Sequence, residues 1–382
     1  MADDTVRRGL EGVLAAETRL SRIDGEAGEL VIAGFPVEEL ASNACFEETL
    51  FLLYEDRLPT RAELDAFSSE LANNRSIAAE TQCVVEAAAA TGASAMDAVR
   101  MGLASASLAR DGRADPVRDS RLAVAQVPTI VSAYWRASQD KPLLEPRTDL
   151  SHAGNYLYML SGEEPTDAAV RGLETYLNTV VDHGLNASTF TARSIVSTES
   201  DVISALTGAV GALKGPLHGG APGPVLDLLE EVMTAEDVES VLRAKLERGE
   251  RLMGFGHRVY RVRDPRAAVL SRASEKFYSD GHGEFFETAR ETESIAIDLL
   301  QEHKPGAQLE TNVEFYTAVL LHGVGIPKAL FSATFAISRS GGWSAHCLEQ
   351  LQDNRIVRPR SKYVGAQHRT WTPVEDRTQH AG

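Results

Sequence analysis

Cysteine is nearly absent from this 382-residue chain, and its three copies, Cys45, Cys83 and Cys347, stand far apart. None forms a C-x-x-C pair or has a histidine at ligand spacing. Neither a disulfide framework nor a zinc site is indicated, and buried free thiols are expected. Lysine is scarce too. Lys141, Lys214, Lys245, Lys276, Lys304, Lys328 and Lys362 are the whole set, and arginine supplies the remaining positive charge. Against 38 Lys and Arg stand 55 Asp and Glu, a formal net charge of −17. A nucleic-acid partner is excluded on that balance, because neutralising phosphates takes basic side chains. An acidic, lysine-poor surface suits a halophile's cytoplasm, since carboxylate repulsion is screened when the Debye length falls to about 3 Å at 1 M salt. No apolar run approaches the ~20 residues of a membrane span, and Met1–Leu20 lacks a basic-then-apolar leader. A cytoplasmic protein without membrane contact is expected.

Strand-like sequence is equally sparse. Leu30-Val31-Ile32 and Arg355-Ile356-Val357 are the only segments that read as short strands. The rest carries a helical period with clear start and stop signals, so the fold class is all-α. Thr60 followed by Glu63 has capping-box spacing, and Leu64, Phe67 and Leu71 then share one face. Thr166 and Asp167 open a second helix, in which Val170, Leu173, Leu177, Val180 and Val181 recur up to His183-Gly184. His183 therefore sits at a helix end. A third helix carries Val202, Leu206, Val210 and Leu213 and stops at Gly215-Pro216. A fourth is expected from Thr234 to Leu246, with Thr234 as cap and Asp237 at the box position. The polar tail from about Thr372 reads as loose. A single core stops growing at roughly 250–300 residues, so a large domain carrying a smaller one is expected, with substrate in the cleft between them.

Two Gly-rich segments each hold one histidine: Gly215-Pro216-Leu217-His218-Gly219-Gly220 and Gly254-Phe255-Gly256-His257. Glycine there lets backbone approach a ligand closely. A lone histidine is more often structural than catalytic, but His257 is followed by Arg258, Arg261, Arg263 and Arg266. On so acidic a protein, a local run of arginine points to an anion.

Eight ordered blocks then resemble the citrate synthase family. They are Ile23-Asp24-Gly25, Gly34-Phe35-Pro36-Val37-Glu38-Glu39-Leu40, Leu58-Pro59-Thr60, Asn155 to Leu160, Asp182 to Phe190, Gly215 to Gly219, Gly254 to Tyr260 and Asn312 to Tyr316. The similarity spans roughly Arg8 to Gly365. It implies a two-domain helical fold: a large domain over 1–218 and 321–382, and a small one over 219–320 that closes on the substrates. It also implies a homodimer and no cofactor, acetyl-CoA being a substrate.

Residue by residue, the resemblance implies that His218 hydrogen-bonds the thioester oxygen of acetyl-CoA, that His257 polarises the carbonyl of oxaloacetate, and that Glu314 takes the methyl proton. His183, Arg266 and Arg339 would hold oxaloacetate, with Arg358 reaching in from the partner subunit. Leu252, Met253, Gly254, Phe255, Gly256 and Arg261 would face CoA. The chemistry asks for such groups independently. A thioester methyl is a weak carbon acid, so a base must meet it while a donor meets the charge growing on oxygen. Two carboxylates on one substrate call for arginine forks.

One position departs from the family pattern, which has aspartate where this chain has Glu314. The extra methylene moves the carboxylate by on the order of 1 Å, enough to cost roughly a hundredfold where geometry is the catalyst. Two alternatives follow: a 2-methylcitrate synthase using propionyl-CoA, since one methylene in an apolar pocket is worth only about 1–3 kcal/mol, and a catalytically weak regulatory homologue. A metallohydrolase is disfavoured, because His183, His218, His257 and Glu314 lack the compact ligand spacing of zinc enzymes.

Overall fold

A computed structural model describes residues 6–109, 113–219, 222–257, 259–260, 262–279, 283–306 and 309–377. The chain divides into two compact units, Thr18–Ile356, and Met1–Glu17 together with Val357–Gly382. Among the described residues are sixteen α-helices and three short strands, as an all-α reading requires. The strands form one small antiparallel sheet, β1 (Ser21–Asp24), β2 (Glu29–Ile32) and β3 (Phe35–Pro36), with Ile23 opposite Leu30 and Ile32 opposite Phe35.

The helix signals are realised where local chemistry is strong. Helix Arg61–Asn73 is capped by Thr60, whose hydroxyl accepts from Glu63 N while its own N–H donates to the Glu63 carboxylate at 2.8 Å. Phe67 and Leu71 face inward. Helix Asp167–Val180 starts after Thr166 and buries Leu173, Leu177 and Val180, which leaves His183 three residues past its end. Helix Val202–Leu213 ends before Gly215-Pro216.

Elsewhere the structure differs. Thr234 closes the Pro222–Met233 helix, its hydroxyl donating back to Glu231 O at 2.9 Å, and the next helix starts only at Val238 with Asp237 as its cap. Both residues are good caps, and Asp237 wins because Ser240 N and Oγ both reach its carboxylate. Arg355-Ile356-Val357 is not a strand, whereas β1 and β3 were not foreseen because their apolar alternation is short. Cys347 is buried and Cys45 half-buried, but Cys83 is exposed. Within the tail, Val374–Asp376 forms one 3₁₀ turn. No helix among the described residues is long and apolar enough to cross a membrane.

Helix Phe331–Gln352 runs through the core and is buried at nearly every position from Phe331 to Cys347. Its Gly341-Gly342 pair allows this. A Cβ on Gly342 would lie 2.2 Å from the carbonyl oxygen of Val181, and one on Gly341 would lie 2.3 Å from Leu50. The helix therefore presses directly on the segment that follows Val180, and its polar side chains point into that segment.

Candidate active site

Three side chains at positions i, i+4 and i+7 of the Phe331–Gln352 helix grip the loop after Val180. Arg339 donates through Nε to Val180 O at 2.8 Å, Trp343 donates through Nε1 to Ser188 Oγ at 3.0 Å, and His346 meets Asp182 Oδ1 at 3.2 Å. Arg193 donates to His346 Nδ1 at 3.0 Å, so that nitrogen accepts and the imidazole proton sits on Nε2, toward Asp182. All of these groups are buried. Between the gripped points lies His183, its Nε2 at 3.1 Å from the hydroxyl of Tyr260.

His257 arrives on the second Gly-rich loop. Gly254 and Gly256 have φ of 95° and 79°, which a residue with Cβ adopts only under strain. That loop is zipped to the segment before Glu314: Gly256 N donates to Glu310 O at 2.7 Å and Asn312 N to Gly254 O at 2.9 Å. Asn312 joins both, since its Nδ2 donates to Gly256 O and its Oδ1 caps the Val313–Gly323 helix by accepting from Glu314 N, each at 2.9 Å. The His257 Nδ1 accepts the backbone N–H groups of Val259 and Tyr260 at 3.0 and 3.1 Å. Its proton is therefore on Nε2, aimed away from the backbone, which makes the 3.4 Å approach of Arg266 Nη2 to that nitrogen a contact between donors.

Asp264 holds this side together. It caps the Pro265–Tyr278 helix, pairs with Arg266 Nε and Nη2 at 3.1 and 2.8 Å, and accepts from Val313 N at 3.2 Å. The rings of His183, His257 and Tyr260 form a triangle with centroids 4.9–5.9 Å apart, and Arg266 lies over Tyr260. His218 belongs to the same cluster. Its Nε2 is 2.8 Å from Ser188 Oγ.

Burial sets the charge states. It holds His257 down to about 4, with the Arg266 charge adding to the effect, and His183 well below the usual histidine range, helped by Arg266 and Arg339. His218 is lowered by burial and by Arg339. The imidazoles are thus neutral near pH 7. Burial pushes Glu314 up to about 7, against the pull of Arg266 and Arg339. The half-buried Glu314 carboxylate makes no hydrogen bond or ion pair with a described residue, although its backbone is capped. Arg339 is 1% exposed, and burial lowers it to about 10. No described carboxylate pairs with it.

Leu252, Met253, Gly254, Phe255 and Gly256 line a cleft of about 850 Å³ with His257, Arg251, His303, Lys304 and Asn312. Arg258 and Arg261 lie outside the described residues. Arg263 is exposed and pairs with Glu293 at 2.8 Å, whereas Arg266 is buried on Asp264. Arg358 is exposed and belongs to the Val357–Gly382 part of the other unit. Among the described residues, no three His, Cys, Asp or Glu side chains converge as a metal site. Sequence reasoning missed Asp264, Ser188, Trp343, Asp182 and His346. Asp264 could have been found, since Asp-Pro-Arg is a cap followed by proline at the first helical position. The others act through contacts over more than 150 residues.

A family model described as the C-terminal domain of citrate synthase matches residues 9–360. The citrate synthase of Haloferax volcanii is 43% identical, over 97% of this chain and 99% of its own length. A 2-methylcitrate synthase of Shewanella oneidensis is 36% identical over 97% of each chain. The Thermoplasma acidophilum citrate synthase, solved as a ternary complex with carboxymethyl coenzyme A and oxaloacetate, superposes with a TM-score of 0.86 at 29% identity, covering 98% of this chain and 100% of that one. With these matches the helical fold and its buried cluster define an acyltransferase. The chain belongs to the citrate synthase family. Citrate synthases need no cofactor beyond their two substrates.

Proposed function

We propose that this chain condenses the methyl carbon of acetyl-CoA with the carbonyl carbon of oxaloacetate and hydrolyses the resulting citryl thioester to citrate and CoA. The observation that carries the proposal is Glu314: an unpartnered, half-buried carboxylate raised to about 7, among neutral histidines. A carbon acid as weak as a thioester methyl needs a base poised in that range. Glu314 takes the methyl proton while a neutral His218 donates to the thioester oxygen, and the Nε2–H of His257 polarises the oxaloacetate carbonyl. Arg339, buried without a carboxylate of its own, supplies the fork for one substrate carboxylate, because a buried cation left unpaired is costly. Arg266 keeps Nη1 for the same substrate while Asp264 occupies Nε and Nη2. His183 completes that pocket.

The proposed small domain, 219–320, contains His257, Arg266 and Glu314, and the rest of the chain contains His183, His218 and Arg339. A site divided in this way is completed by closure, which excludes water until the carbon–carbon bond exists. The 850 Å³ cleft is the place for CoA, with Arg251, His303 and Lys304 near its phosphates. The assembly is a homodimer in which Arg358 of one subunit serves the other's oxaloacetate.

The test is release of free CoA on mixing with acetyl-CoA and oxaloacetate, run beside propionyl-CoA. Release that needs both substrates and is faster with acetyl-CoA bears the proposal out. Faster release from propionyl-CoA makes the chain a 2-methylcitrate synthase, and no release from either makes it a regulatory homologue.

A further inference from the structure

His218 can meet charge on a substrate oxygen only if a ring proton points toward that substrate. Its Nε2 is spent on Ser188 Oγ at 2.8 Å, so the useful proton is on Nδ1 and Nε2 must accept. Which way that bond runs depends on the single hydroxyl proton of Ser188. Three polar atoms surround Ser188 Oγ: His218 Nε2 and Asn186 Oδ1, both at 2.8 Å, and Trp343 Nε1 at 3.0 Å.

An indole N–H only donates, so Ser188 Oγ accepts from Trp343. Asn186 Oδ1 already caps the Ala187–Val196 helix, accepting the backbone N–H groups of Ser188 and Thr189 at 3.1 Å each. Ser188 Oγ also reaches that oxygen, so its one proton has two acceptors at 2.8 Å, Asn186 Oδ1 and His218 Nε2. A His218 that offers Nδ1–H to the substrate needs that hydroxyl proton donated to Nε2, and Asn186 Oδ1, which already accepts two backbone N–H groups, is the weaker competitor for it. A hydroxyl that accepts one hydrogen bond donates the next more strongly, by about 10–30%, and Trp343 and Ser188 are both fully buried, so no solvent competes. Trp343 cannot drift, because Arg339 and His346 pin the same helix face on either side of it.

We propose that the indole N–H of Trp343 is a positioning group that acts through the Ser188 hydroxyl to hold His218 as the Nδ1–H tautomer. The proposal rests on the role given above to His218 and explains how that histidine comes to present a donor. Trp343 touches no substrate and acts only through Ser188.

The test uses the full-length chain with Trp343→Phe, Ser188→Ala and the double variant. Two quantities are measured: kcat and oxaloacetate KM for CoA release, and the ¹⁵N shifts of the His218 ring in histidine-labelled protein, assigned by their loss in His218→Ala. Trp343→Phe is expected to lower kcat about fivefold to tenfold, the scale of one neutral hydrogen bond. Oxaloacetate KM should stay unchanged and the ring spectrum should move toward Nε2–H. In the Ser188→Ala background the same change should cost nothing further. An unchanged His218 spectrum in Trp343→Phe, or an equal loss of kcat in both backgrounds, overturns the proposal, since a merely structural tryptophan acts independently of Ser188. If Trp343→Phe does not fold, Ser188→Ala still decides: its indole N–H resonance must move as that donor loses its acceptor, and a fixed resonance overturns the link. The ring spectrum needs no turnover, so failure of the wild-type chain to release CoA sinks the proposed function without touching the tautomer result.

Discussion

Arg339 donates through Nε to the carbonyl of Val180 at 2.8 Å, a bond that fixes the plane of its guanidinium beside the loop carrying His183. The fork is held by backbone, with Phe335 packed 4.7 Å from its central carbon, and its charge is left for a ligand. Arg339→Lys keeps the charge but loses both the anchor and the planar pair of donors. Oxaloacetate binding, measured by calorimetry, is expected to weaken by at least about tenfold, the minimum for losing a two-pronged contact. Unchanged affinity would remove Arg339 from the substrate site.

Glu314 ties rate to pH. Its carboxyl is raised to about 7, so the ionised base is lost as pH falls below that value, and exchange of the acetyl-CoA methyl into deuterated water should fall about tenfold per unit in acid. His257, held at about 4, adds no second limb above pH 5. Glu314→Gln should abolish exchange and leave oxaloacetate affinity nearly intact. Glu314→Asp should lower the rate, since it retracts the carboxylate by on the order of 1 Å from a site built around glutamate. Exchange that persists in the glutamine variant would assign the proton to another group.

His257→Ala is expected to reduce turnover by at least about a hundredfold, the usual loss for a polarising donor. Arg358→Ala should do the same by a different route, through the neighbouring subunit. Mixed dimers of the two variants, each inactive alone, should recover one working site in two. Well-folded heterodimers with no activity would place Arg358 outside the partner's site.

His152 makes the fold acid-sensitive. Both ring nitrogens lack a partner among the described residues, the ring is 1% exposed against Phe46, and burial together with Arg75 holds its pKa down to about 3. Because the unfolded value is about 6.5, the unfolded chain binds the extra proton between those limits, and stability falls as pH drops through them. In His152→Gln the plot of unfolding free energy against pH should lose about one proton of slope between pH 6.5 and 3. An unaltered slope would mean that His152 is already charged in the folded protein.

What was legible in the sequence follows the range of the forces involved. Caps and helix ends act over three or four residues, so the Thr60 box, the Thr166 start and the position of His183 past Val180 could be read directly. The Gly254-Phe255-Gly256 loop announced His257 because positive φ leaves a mark in residue type, and Gly219 beside His218 marks a close approach instead, since a Cβ there would lie 2.6 Å from Leu213 O. Thr234 and Asp237 show the limit, since two good caps three residues apart compete and a hydroxyl can equally well close the helix before it. Trp343 and Ser188, or His346 and Asp182, meet only when the Phe331–Gln352 helix docks. Nothing local marks them.

The missing side chain at Gly342 has a consequence for how this protein could diverge. With only 2.2 Å between an added Cβ and the carbonyl of Val181, even alanine would push the loop off the helix, and with it Asp182 and His183. Changes at the chemical groups themselves cost rate in proportion to the group removed. A single methyl at 342 would instead spoil the alignment of several groups at once. Drift toward a new acyl donor therefore has room on the cleft's lining, while the joint between helix and loop stays closed to it.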